Sequence, residues 1–542
     1  MLGIFSVIYY SVVCLVTSFL VVRFGFPVRL LRHLQVYVLT DQNAGVPMSA
    51  ASNGSGRSKG RKKNNEPEFD ESSGKMMRIL VQEGHLYSRK FFREFDETIL
   101  FACIGIMAVF SREILTVIEM YVEGSGFFTN QQNQQQQQSG DQSTPKQNLS
   151  SSSTGLFLMD HGGMIPLLLA AVALWKIVRN WASVEWDRST TRSADFTQCL
   201  LAGIASCLIT GFILFALPPS LTGFDFDSVA QKAGVTITNH FKSKGLAKEN
   251  IPEFIIPPTF IKTSLVLFSG VIGALSLPAA IRFVRCFYLS TSQQPWDTGI
   301  IHQGFWSALL WNVSFVLPVL AAALWIRPLT EVFEPVVAFR GVGSGAVTGG
   351  GGAGAVPAGS LGAASAANAT TAAAVGVCTL PHLGSYFGSL FGASVTGPCS
   401  GLPIAWFQVA AILLSGISRL LLLRIAVQSH LNTALVYWYD QLHSGKEWAY
   451  HWINARVQLT YYFICKVAIQ SAALPIVTLL LVGIARSRGP ELDPLFDKEG
   501  SLLPPLLVRE VAMFLAWWCN AAWALQTCAI LALFRVGQLK AV

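Results

Sequence analysis

Runs of about twenty consecutive apolar residues recur along this chain, and they restrict its fold more than any other feature. They lie near residues 2–22, 99–121, 156–178, 196–217, 259–281, 304–326, 403–427, 457–484 and 506–534. A run of that length crosses the ~30 Å hydrocarbon core of a bilayer as one helix. Lipid offers no hydrogen bonds, so backbone inside it must pair with itself, as a helix does. The expected fold is all-α, a polytopic integral membrane helix bundle of about nine transmembrane helices (roughly 8–10). Composition agrees: 52% of residues are hydrophobic, 13% are charged and mean hydropathy is +0.46. A soluble domain with that balance cannot keep a solvated exterior. The lipid bilayer is thus the first partner. The net charge of +8 calls for no nucleic acid, because lysines and arginines beside membrane ends account for it.

Residues 1–22 are the first expected span, with a cleaved signal peptide as the alternative. No Lys or Arg precedes the run and no small-x-small site ends it, which favours a retained helix. Residues 23–97 make a basic, partly disordered loop with thirteen Lys and Arg, including RSKGRKK at 57–63. Such charge marks the cytosolic side. The N-terminus is then outside and the C-terminus cytosolic. Cleavage of the first run, with this loop outside, inverts the assignment. Residues 98–542 form the multi-span domain. The sequons at Asn148 and Asn368 fall in outer loops and are the expected glycosylation sites. Those at Asn53, in the inner loop, and Asn312, within a span, are expected to stay unused.

Three stretches lack the apolar content to offset their ordering entropy. They are 41–75, the poly-Gln and poly-Ser insertion within 125–154, and the Gly/Ala-rich insertion at 341–375. In FDFDSVAQKAGVTITNHF (224–241), by contrast, Phe226, Val229, Ala230, Ala233, Ile237 and Phe241 share one helical face. This reads as a short amphipathic helix, packed on the bundle or on the membrane surface, with Asp225 or Asp227 as its cap. Cys378 and Cys399 share an outer loop. An oxidising lumen permits a disulfide between them, and sequence leaves its geometry open.

Enzyme signatures are scarce. HExxH, GxSxG and Walker A patterns are absent from the sequence. Gly445 interrupts the one metal-like spacing, His443, Glu447 and His451. No catalytic residue, cofactor or metal is assigned. Charges inside apolar runs are the stronger lead, because each costs on the order of 2.5–3.5 kcal/mol at midspan unless paired or hydrated. Arg112 and Glu113 lie near the middle of the second run, with Glu119 two turns on. Arg419 and Arg424 lie toward the cytosolic end of the seventh. Arg424 is expected to snorkel to the phosphates and to begin a polar stripe through Gln428 and His430. Arg419 either snorkels or bonds a neighbouring helix, with the acids of the second run as candidate partners. Lys466 is roughly ten residues into the eighth run, with Gln470 one turn on. Pro475 is expected to kink that helix, and Pro166, Pro278 and Pro318 others. Gly270 and Ala274 give a small-xxx-small face for close helix contact.

The pattern Arg419-x4-Arg424-x3-Gln428-x2-Leu431-Asn432-x-Ala434 resembles one in the transmembrane protein 161 family. LPVLAAALWIRPLT (317–330), GALSLPAAIR (273–282), YYFICKVAIQSAALP (461–475), LAWW (515–518), GFDFDS (223–228) and REFDETIL (93–100) are similar to the family in the same order. Lys466 falls outside the family pattern. The resemblance implies a eukaryotic multi-pass protein of the plasma membrane or an endomembrane, associated with membrane excitability and stress responses. It supplies no catalytic residues. The expected function is non-enzymatic modulation of channels or signalling proteins through partner contacts. The alternative is a transporter or channel whose intramembrane charges line the path.

Overall fold

The computed structural model describes residues 2–39, 76–124, 164–187, 193–243, 256–291, 304–329, 404–443, 450–486 and 505–539. The stretches expected to be disordered (41–75, 125–154 and 341–375) lie outside these residues. So do Asn53, Asn148, Asn368, Cys378 and Cys399.

Helix α1 (Leu2–Phe24) ends at Gly25, whose φ of +54° suits a residue without Cβ, and α2 (Phe26–Leu31) follows. Strands β1 (Gln35–Leu39) and β2 (Met76–Leu80) pair antiparallel, with Gln35 opposite Leu80 and Leu39 opposite Met76. Next come α3 (Glu83–Tyr87), α4 (Phe92–Gly124), α5 (Met164–Glu185) and α6 (Ser193–Gly211), which closes in a π-helical turn, Phe212–Ala216. The chain continues through α7 (Pro219–Thr222), α8 (Phe226–Ser243), α9 (Pro258–Thr291) and α10 (Phe305–Ala323). It ends with α11 (Ile404–His443), α12 (Tyr450–Tyr462), α13 (Ile464–Arg486) and α14 (Pro505–Arg535).

Among the described residues, eight helices are long and apolar enough to cross a membrane: α1, α5, α6, α9, α10, α11, α13 and α14. The ninth expected span, 99–121, lies within the 33-residue α4, which packs against α1, α5 and α13. The chain is a helical polytopic membrane protein. At its centre stands α13, buried on nearly every side by α4, α5, α11 and α14, as apolar residues all round the helix demand. Outer helices turn their large apolar side chains outward, such as Leu200, Leu201, Ile204 and Leu208 of α6. Where α6 meets α9 the interface is made of small residues. A Cβ on Gly203 would come within 3.1 Å of both Ala274 Cβ and Gly270 O, so the backbones touch closely. The small-residue face at Gly270 and Ala274 is therefore used as expected.

Each end of the bundle carries a structured cap. At one end Phe224 stacks on Trp325, 4.7 Å between ring centroids, and meets Phe514 edge-on. From there α8 lays Phe226, Ala230, Ala233 and Ile237 against the bundle, mainly on α14 and α9. Asp225 is the cap: its Oδ1 accepts the Ser228 N–H at 3.2 Å, which holds its carboxyl below the usual range. Asp227 instead pairs with Lys262, at 2.9 Å.

The other end is built differently from the sequence expectation. The loop at 23–97 contains ordered elements, α2, the β1–β2 pair and α3. A lone two-stranded ribbon is marginal in water, and here β1 is held between α11 and α12 with Val36 and Tyr37 buried. The 40-residue α11 is about 60 Å long. It outreaches the hydrocarbon core and supports the ribbon. Nearby, the Arg89 guanidinium sits 3.7 Å from the Tyr461 ring centroid, and Lys90 pairs with Asp187 at 2.6 Å.

Candidate functional site

The seventh apolar run folds as α11 and turns Ser415, Arg419, Leu422, Ala426 and His430 toward its neighbours, at spacings that keep one helical face. Ser415 donates to Asn520 Oδ1 of α14 at 2.7 Å. One turn further, Arg419 is only 5% exposed. Its guanidinium carbon lies 3.8 Å from the centroid of the Trp523 ring, also on α14. Arg419 therefore does not snorkel. Its place on the inner face of α11, about four helical turns from the start of that helix and nearly seven from its end, keeps it inside.

Arg419 lines a narrow cavity of about 30 Å³. Arg282 and Cys286 come to it from α9, Trp311 from α10, His430 from α11, Ser471 from α13 and Trp523 from α14. Pro475, inside α13, has no N–H, so the Ser471 carbonyl loses its helical donor beside this space. Pro278 and Pro318 likewise lie within α9 and α10. Pro166 falls in the first turn of α5, where no helical bond is lost, so it makes no kink.

A second group adjoins the cavity through Arg282. Glu185, 6% exposed at the end of α5, accepts a short hydrogen bond from Gln470 Nε2 of α13. Arg282 and Lys466 act on the same carboxylate electrostatically. Lys466 is 5% exposed. It stands in the first turn of α13, since the chain breaks helix at Phe463, and not ten residues into a span. Its absence from the family pattern does not keep it from this cluster.

The polar stripe beyond Arg419 serves the ribbon. Gln428 Nε2 donates to Gln35 O at 3.1 Å, and Gln428 Oε1 accepts the Gln35 N–H at 2.8 Å. One side chain thus bonds β1 as a further strand would. Arg424, exposed on α11, donates to Arg32 O at 3.4 Å. The α4 backbone carries Arg112, Glu113 and Glu119, but their side chains lie outside the described residues, as does any pairing with Arg419. The side chains of His443, Glu447 and His451 lie outside them too.

Glu185, Arg282 and the two tryptophans were not singled out in the sequence. Expected spans ended at 178 and 281, several residues before α5 and α9 end. Charges beyond an apolar window read as loop, although the helices carry them on inward. Donors dominate the cavity. The lining includes two guanidinium groups and two indole N–H groups and no carboxylate.

The model of the family described as "Predicted transmembrane protein 161AB" matches residues 164–340. The matched stretch runs from α5 through α10 and includes Glu185, Arg282 and Trp311. No curated protein and no solved structure matches the chain. The matched third of the chain contains the motifs at 223–228, 273–282 and 317–330, and with the multi-span helical architecture it supports assignment to the transmembrane protein 161 family.

Proposed function

We propose that this protein is a non-enzymatic membrane component that tunes ion handling, and through it excitability or signalling, by binding other membrane proteins. The observation that carries the reading is where the described intramembrane charges go. Arg419 rests on Trp523, Glu185 on Gln470 with Arg282 and Lys466 beside it, Arg424 on the Arg32 carbonyl ahead of the ribbon and Gln428 on β1. The cavity that Arg419 and Arg282 line is about 30 Å³, room for about one water and not for a solute. A protein whose charges are spent on its own helices acts through its surfaces. In this reading the ribbon end faces the cytosol, and Asn148 and Asn368 carry glycans on the opposite side. The runner-up, a transporter or channel, draws on the same cavity and would require it to widen.

Proximity labelling from a ligase fused at the C-terminus, with patch-clamp recording of the same cells, tests the proposal. Reproducible labelling of channel or signalling subunits is expected, with a current that changes when the protein is removed. Enzymatic deglycosylation of that material should reduce its mass unless both asparagines are replaced. Unchanged currents with no reproducible membrane neighbour would overturn the reading.

A further inference from the structure

The cavity beside Arg419 has the chemistry of an anion site. Arg419 Nη2, Arg282 Nη1, Trp311 Nε1 and Trp523 Nε1 are all buried without a hydrogen-bond partner, and all four residues line this one space. Buried donors are nearly always satisfied, so four orphans around one cavity point to an acceptor held between them. Charge leads to the same conclusion. Glu185 answers Arg282 and Lys466 from the far side. Among the described residues no carboxylate acts on Arg419, whose electrostatic neighbour is the Cys519 thiol. Taking a guanidinium out of water without a counter-charge is among the costliest arrangements in a protein interior. A water molecule could accept two of these hydrogen bonds but would bring no charge.

We propose that this cavity binds one small monovalent anion, of chloride size, which neutralises Arg419 and joins α9, α10, α11 and α14. About 30 Å³ admits one water-sized species and excludes sulfate or a carboxylated metabolite. Bound there, the ion would be a structural element of the bundle interior and not cargo.

The test uses the full-length protein in nanodiscs, purified in gluconate. Chloride or bromide then replaces gluconate at constant ionic strength while tryptophan fluorescence follows thermal unfolding. A saturable rise in Tm with either halide is expected. Arg419→Gln should raise the half-saturating concentration by about tenfold or more, the loss of one charged hydrogen bond. Trp523→Phe keeps a ring but removes a donor, and should raise it severalfold. It carries the test if Arg419→Gln does not fold. The exposed Arg535→Gln should respond as the unaltered protein does. Equal Tm in chloride and gluconate would overturn the site, as would an unaltered halide response in the Arg419 and Trp523 variants. Halide binding without flux supports the site and leaves the partner reading standing, so the two proposals fail separately.

Discussion

A buried guanidinium needs the protein to replace its water, and the surroundings of Arg282 and Arg419 do so in different ways. Arg282 has the Glu185 carboxylate within electrostatic reach, whereas Arg419 has the face of Trp523. The consequences of mutation should differ accordingly. Glu185→Ala takes a carboxylate from beside Arg282 and Lys466 and leaves Gln470 without its acceptor. Breaking a buried charge pair from one side costs about 3–5 kcal/mol. Arg419→Leu instead replaces a charge by an apolar side chain of similar reach, a change often neutral or stabilising. Denaturation in matched, halide-free micelles should therefore show a large loss for Glu185→Ala and little or none for Arg419→Leu. A large loss for both would mean that Arg419 has a carboxylate partner.

Among the elements, the ribbon's attachment through one glutamine is the most local dependence. Gln428→Leu would leave the Gln35 N–H and C=O without their side-chain partner, at a cost of about 1–3 kcal/mol for an unsatisfied buried group. Faster amide exchange is expected across Gln35–Leu39 and Met76–Leu80, with α13 unchanged. Unaltered exchange in β1 would show that α12 alone holds the ribbon. This element also marks where sequence reading stopped. Spans are legible because lipid demands some twenty apolar residues in a row, and α8 is legible because its buried face repeats at helical spacing. Two five-residue strands separated by residues 40–75 give no such signal, since neither is long enough to show its alternation and their pairing is non-local. Lys466 was placed too deep for a related reason. Residues 457–484 read as one apolar run, and only the structure shows the break at Phe463. Of the candidate site, Arg419, Lys466 and Gln470 were visible as polar residues in apolar runs. Glu185 and Arg282 were not, because helices that extend past an apolar window look the same in sequence as loops.

For the whole molecule, the arrangement is a bundle around α13 with an aromatic cap at one end and a docked ribbon at the other. Interhelical polar contacts tie the interior together. Examples are Trp518 Nε1 to Ser269 O at 3.1 Å and Gln526 Nε2 to Gly273 O at 2.7 Å. Such contacts average about 0.6 kcal/mol each in membranes, so the bundle's rigidity comes from many of them with close backbone packing. A bundle so tied, with an interior cavity the size of a water molecule, suits a protein that presents fixed surfaces to others. The most direct test is solute flux and current through the purified protein in liposomes, with Arg419→Leu and Glu113→Gln in parallel. The account predicts flux and current equal to those of empty liposomes for all three proteins, across inorganic ions and small solutes. A current or uptake that either substitution alters would contradict it, and would make those charges part of a path.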